Sequence, residues 1–128
     1  MPRNIDNRLG ARRWFIHRCS EVMNYWPAYH NETWERSVKS HFGVASKVLF
    51  TLDHSLNLQS AENREHLLWA LDFLKVYNSE TVSARFWNVS EKTYRKYLHP
   101  MIDRIAGAFF GRVLIIKLLN KQFFISLI

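Results

Sequence analysis

Between Glu80 and Ile105 the chain reads ETVSARFWNVSEKTYRKYLHPMIDRI, two helical patterns parted by a single turn signal. Ala84 is small, as a close contact between two helices requires. Asn88, four residues on, is of a type that tolerates positive φ. Val89 follows as an apolar plug, and the Ser90 hydroxyl is placed to cap the next helix. Within that helix Tyr94, Tyr97, Leu98, Met101 and Ile105 recur on one side at helical spacing, while Lys92, Thr93, Arg95, Lys96 and His99 fall on the other. A small contact residue, a left-handed turn residue, a cap and a basic outer face together predict a helix-turn-helix over residues 79–105.

Three Pro and four Gly in 128 residues leave little room for long linkers, so one compact, mostly helical body is expected. Apolar residues at 48% and aromatics at 15% argue for a packed globule and against disorder. Behind a flexible start at Met1–Asp6, the residues Leu9, Trp14, Phe15, Cys19, Val22, Met23 and Trp26 predict a helix from Asn7 to Tyr25, ending before Pro27. Gly10 lies unfavourably near its start. Asn31 is set to cap a helix over Glu32–His41, with Glu32 and Glu35 in the first turn and Gly43 placed to end it. Ser46 is expected to cap Lys47–Ser55. Ser60 is expected to cap Ala61–Tyr77, with Leu67, Leu68, Leu71, Phe73, Leu74 and Tyr77 as the inner stripe. Ser79 starts the first helix of the motif, and Pro100, inside the second, predicts a kink. The fold class is therefore all-α: a multi-helix domain over residues 1–107 that contains the helix-turn-helix.

Residues 108–128, AFFGRVLIIKLLNKQFFISLI, form an apolar tail interrupted by Arg112, Lys117 and Lys121. A membrane span would place Lys117 near its middle, at a cost of about 3 kcal/mol. A helix packed on the body is expected, although the β-branched content also permits a hairpin turning at Asn120-Lys121.

The net charge of +7 is unevenly spread. Residues 1–18 hold five Arg against one Asp, whereas residues 19–78 hold seven acids against five bases. Positive charge gathers at the two ends and in the helix-turn-helix, which suits a polyanion and predicts affinity that falls steeply with salt. Cys19 is the only cysteine, so no internal disulfide is possible and a reducing, intracellular compartment is the natural home. No signal peptide is visible. Neither a zinc-ligand spacing nor a Gly-rich phosphate loop occurs, so no metal and no cofactor is expected.

The segments HFGVASKVLFTLDHSL (His41–Leu56), ENREHLLWALDFLKVYNSETVSARFWNVSEKTYRKYL (Glu62–Leu98) and HPMIDRIAG together resemble the amino-terminal helical module of a Harbinger-type DDE transposase. Ala84, Phe86, Trp87, Asn88, Val89, Ser90 and Thr93 match or approximate that family's A..FGVS..T motif. The resemblance spans residues 20–107. Asn88 replaces the motif's turn glycine, and Ser83 stands at a commonly apolar position. The family's nuclease domain, with its three metal-holding carboxylates, would begin where this chain stops, and no acid follows Asp103. The resemblance thus implies a transposase-derived, catalytically incomplete copy, not an enzyme, and a nuclear location.

The expected function is double-stranded DNA binding. Thr93 and Lys96 are candidates for base edges; Arg85, Lys92 and Arg95 for phosphates; Ser90 and His99 complete the patch, and Arg12 and Arg13, with Arg18, extend it along the backbone. The bland alternative is an ordinary solvated helix face. Two other classes stay open: a module binding another transposase chain or a cellular protein, and a membrane-associated protein tethered by its tail, of which the membrane is the less expected. Trp69, Trp87, Tyr94 and Tyr97 read as core, and His54 and His66 as ordinary surface or partly buried residues.

Overall fold

The computed structural model describes residues 3–27, 31–76 and 78–109, with the backbone alone for 3–9 and 109. Six helices and no strand lie in them: α1 (Arg3–Met23), α2 (Glu32–Phe42), α3 (Ser46–Ser55), α4 (Ala61–Val76), α5 (Glu80–Phe86) and α6 (Glu91–Phe109). The all-α expectation holds. Residues 110–128, the bulk of the apolar tail, lie outside the described residues. The boundary expected at residue 107 falls inside α6, which continues through Pro100 without interruption to Phe109.

Short-range signals decide most helix ends. Asn31 accepts the Trp34 amide at 2.8 Å, Ser60 that of Asn63 at 3.1 Å, and Ser79 that of Val82 at 3.2 Å. Each satisfies a donor the first turn leaves unpaired. Gly43, at φ 78°, closes α2 by donating its amide to the Lys39 carbonyl. Two expectations fail at helix starts. α1 begins at Arg3, so Asp6 and Gly10 lie within the helix. Ser46 is the first residue of α3, not its cap; Ala45 holds the cap position, and the buried Ser46 hydroxyl donates to Glu35 instead.

Three asparagines end helices in one way. Asn24, Asn57 and Asn88 have φ of 51°, 54° and 59°. Each donates its amide three residues back (to Glu21, His54 and Arg85), and the following residue donates five residues back (Tyr25 to Ser20, Leu58 to Asp53, Val89 to Ala84). This paired closure satisfies carbonyls that would otherwise be orphaned at the helix end. It needs a left-handed residue, and asparagine adopts that conformation more readily than other non-glycine types.

Helix α4 is the hub. It is buried from His66 through Asp72, because α1, α2 and α6 all pack on it. The single stripe expected there is therefore too narrow: Trp69 and Ala70 are buried as well, Phe73 is half-buried, and Leu74 is exposed. Tyr77 lies outside the described residues. The core joins Phe15 and Cys19 of α1, Trp34, Val38 and Phe42 of α2, Leu49 and Leu52 of α3, Leu67 and Leu68 of α4, and Tyr94 and Leu98 of α6. Burial pushes the Cys19 thiol up to about 12, which removes it from nucleophilic chemistry. Trp26, expected on the inner side, is exposed.

Two ionic contacts pin distant segments. Arg64 donates from Nε to Asp53 Oδ1 at 2.8 Å within the core, tying α4 to α3. Arg18 makes a two-pronged contact with Glu65, at 2.8 and 2.7 Å, tying α1 to α4.

Candidate nucleic-acid interface

The turn between α5 and α6 is rooted in this body by Trp87. Its ring is buried, 6.5 Å from both Phe42 and Trp69, and lies under the Arg18 guanidinium at 5.6 Å. Its indole N–H donates to Asp72 at 3.3 Å. Burial raises the Asp72 carboxyl above its ordinary value, opposed by that hydrogen bond and by His41. Ala84 is buried where α5 meets α6, and Val89 is half-buried beneath the turn. Ser90 then accepts the Thr93 amide at 3.1 Å and donates its own hydroxyl to Thr93 Oγ1 at 2.8 Å.

On α6, Tyr94, Leu98 and Met101 point inward and are buried; Tyr97 is half-buried and stacks on His66 with ring centroids 4.3 Å apart. His66, read from the sequence as a surface or partly buried residue, is buried. Burial holds its imidazole below the ordinary value of 6.5, against the pull of Glu62 and Glu65. Ser83 is also buried, beside Tyr94, whose hydroxyl makes no hydrogen bond. Desolvation pushes that phenol up to about 12, while Ser83 opposes the rise.

The outer face is exposed as expected: Ser90, Lys92, Thr93, Arg95, Lys96 and His99 on the turn and α6, and Arg85 on α5. It divides into two stripes. Lys92 and Lys96, one turn apart with Thr93 beside them, have no acidic partner among the described residues, and the Lys96 ammonium lies 5.3 Å from the Tyr97 ring. Arg85 likewise has none. Arg95 and His99 instead lean toward α5. Arg95 donates to Glu80 at 2.7 Å and to Glu91 at 2.6 Å, and His99 Nε2 stands 3.4 Å from Glu80. Thr81 donates to the other Glu91 oxygen at 3.0 Å, which completes a polar clasp across the two helices. The Arg95 guanidinium holds Glu80 below its usual carboxylate value, and Glu80 in turn raises Arg95. Of the clasp's ion pairs, only Glu91–Arg95 joins residues four apart on one helix, a spacing readable from sequence. Glu80 comes from a neighbouring element and left no such trace.

Three arginines of α1, Arg12, Arg13 and Arg18, are the candidates for extending this face. Arg13 is exposed, and Arg12 lies over the Phe50 ring at 5.4 Å, in a groove against α3. Arg18, expected to extend the phosphate footprint, is engaged by Glu65 and Trp87 as a tie within the fold. Among the described residues no group of three or more His, Cys, Asp or Glu is placed to hold a metal ion, and no helix is long and apolar enough to cross a membrane. Comparison of the chain with protein-family models, curated proteins and solved structures returns no match.

Proposed function

We propose that the protein binds double-stranded DNA, with the amino-terminal half of α6 lying in the major groove. One observation carries this reading. Lys92, Thr93 and Lys96 stand exposed and without acidic partners on a helix whose opposite side is anchored in the core, while the turn before it is fixed by Trp87. A rigid, cation-bearing helix end is what base readout requires, since the reading groups must be held in register with the duplex. Thr93 and Lys96 face base edges; Lys92 and Arg85 hold phosphates. Arg95 serves chiefly to position α6 on α5. The likeness of residues 20–107 to the helical module of Harbinger-type transposases agrees with this reading, and with a nuclear, non-enzymatic role. The test is fluorescence anisotropy with random duplexes for Lys92→Glu combined with Lys96→Glu. Lost binding with unchanged helicity is expected; unchanged affinity overturns the assigned face.

A protein-interaction role has a separate observation in its favour. Val82 and Phe86, one turn apart on α5, are 50% and 53% exposed. If that pair is the functional surface, Val82→Ser with Phe86→Ser abolishes capture of a second transposase-type chain and leaves duplex affinity untouched.

A further inference from the structure

The groove between α1 and α3 has a chemistry of its own. It encloses about 330 Å³, within the range of about 300–1,000 Å³ in which small ligands are held. Ala11 and Phe50 supply apolar surface; Arg12 from α1 and Lys47 from α3 supply charge, and His54 adds an N–H donor. The one carboxylate in the lining, Asp53, is turned to Arg64 at 2.8 Å and is thereby compensated. Arg12, Lys47 and His54 have no ion pair among the described residues. Among the described residues the uncompensated charges of the groove are thus the cations of Arg12 and Lys47, one from each wall. Phe50 holds the Arg12 guanidinium 5.4 Å from its ring centre, a cation–π contact that limits its rotamers and orders its donor fork in advance.

A ligand matched to this lining carries a compact anion for two cations on facing helices and a flat apolar body for the aromatic surface between them. Phosphate suits the guanidinium fork, and a base suits Phe50. We propose that the α1–α3 groove binds a nucleotide unit, its phosphate bridged between Arg12 and Lys47 and its base against Phe50 and Ala11. The unit is either a free mononucleotide or one residue of a single-stranded nucleic acid. This assignment does not depend on the α6 reading, because it uses different helices and different side chains.

Amide chemical shifts of the full chain, titrated in turn with AMP, adenosine, inorganic phosphate and a short single-stranded oligodeoxynucleotide, test it. AMP is expected to move the Ala11, Phe50 and Thr51 amides and to bind at least about tenfold more tightly than adenosine or phosphate alone. Arg12→Gln with Lys47→Gln, both exposed positions, is expected to weaken AMP by about tenfold or more with helicity unchanged. Lys92→Gln with Lys96→Gln leaves AMP binding intact, which separates this site from the duplex-binding face. Displacement of AMP by the oligonucleotide identifies a polynucleotide as the source, and its failure to displace identifies a free nucleotide; either outcome supports the site. Phosphate binding as tightly as AMP, shifts confined to other helices, or AMP affinity unaffected by the Arg12/Lys47 exchange overturns it.

Discussion

The clasp on α6 makes an unusual prediction about salt dependence. Each phosphate neutralised by a protein cation contributes about −0.9 to the slope of log K against log salt on duplex DNA. Of the cations on the proposed face that lack acidic partners among the described residues, Arg85 and Lys92 are assigned to phosphates and Lys96 to a base edge, whereas Arg95 is already matched by Glu80 and Glu91. The expected slope is therefore about −1.8, a loss of about 12-fold in affinity between about 50 and 200 mM salt. Lys92→Gln with Lys96→Gln reduces it to about −0.9, a loss of only about 3- to 4-fold over the same range. Glu80→Gln acts in the opposite direction. It removes one of the two carboxylates that compensate Arg95 and steepens the slope toward about −2.7, with tighter binding at low salt. Anisotropy titrations on one duplex at several salt concentrations measure all three slopes. A Glu80→Gln slope equal to or shallower than that of the unaltered protein refutes the idea that Glu80 masks a cation. A slope near zero in the unaltered protein refutes the electrostatic reading of the whole face.

Three further outcomes are expected. Asn88→Gly changes the urea midpoint little, whereas Asn88→Val costs about 1–2 kcal/mol because a β-branched side chain is forced into the left-handed region; equal midpoints for the two variants would show that the turn is not under this constraint. Asp53→Ala leaves the Arg64 charge unmatched in the core and destabilises by about 3–5 kcal/mol, more than Arg95→Ala at the surface, as chemical denaturation measures; the reverse order contradicts the burial argument. Because folding holds His66 below its ordinary value, the unfolded chain takes up the proton first, so stability falls as pH drops below about 6.5, by at most about 1.4 kcal/mol per pH unit. Urea midpoints at pH 7 and 5.5 should converge in His66→Phe, and an undiminished pH dependence in that variant removes His66 as the cause.

What was readable from sequence was local. Asn31, Ser60, Ser79 and Ser90 each accept an amide three residues on, and Asn88 takes the left-handed turn conformation, so their roles follow from residue type and position. Ser46 departs from its expected role because a half-buried carboxylate on α2, Glu35, takes its hydroxyl, and no local pattern announces that. Asn24 and Asn57 close their helices as Asn88 does, but only at Asn88 do a small residue four before and a cap two after mark the turn. The outer and inner sides of α6 were legible because one helix face meets the core. α4 was not, since a helix covered by three neighbours loses the stripe that periodicity detects. The Arg18–Glu65 pair joins residues far apart in the chain, and the diversion of Arg18 from the proposed interface is a tertiary fact.

The seating of Trp87 has a practical corollary. A synthetic peptide copying residues 79–109 would present that indole, with Tyr94, Leu98 and Met101, to water, stripped of the α1, α2 and α4 surfaces that cover them. So short a pair of helices cannot offset the cost of ordering itself. Excised, the reading head loses its shape, and grafting it onto another scaffold demands that the socket travel with it.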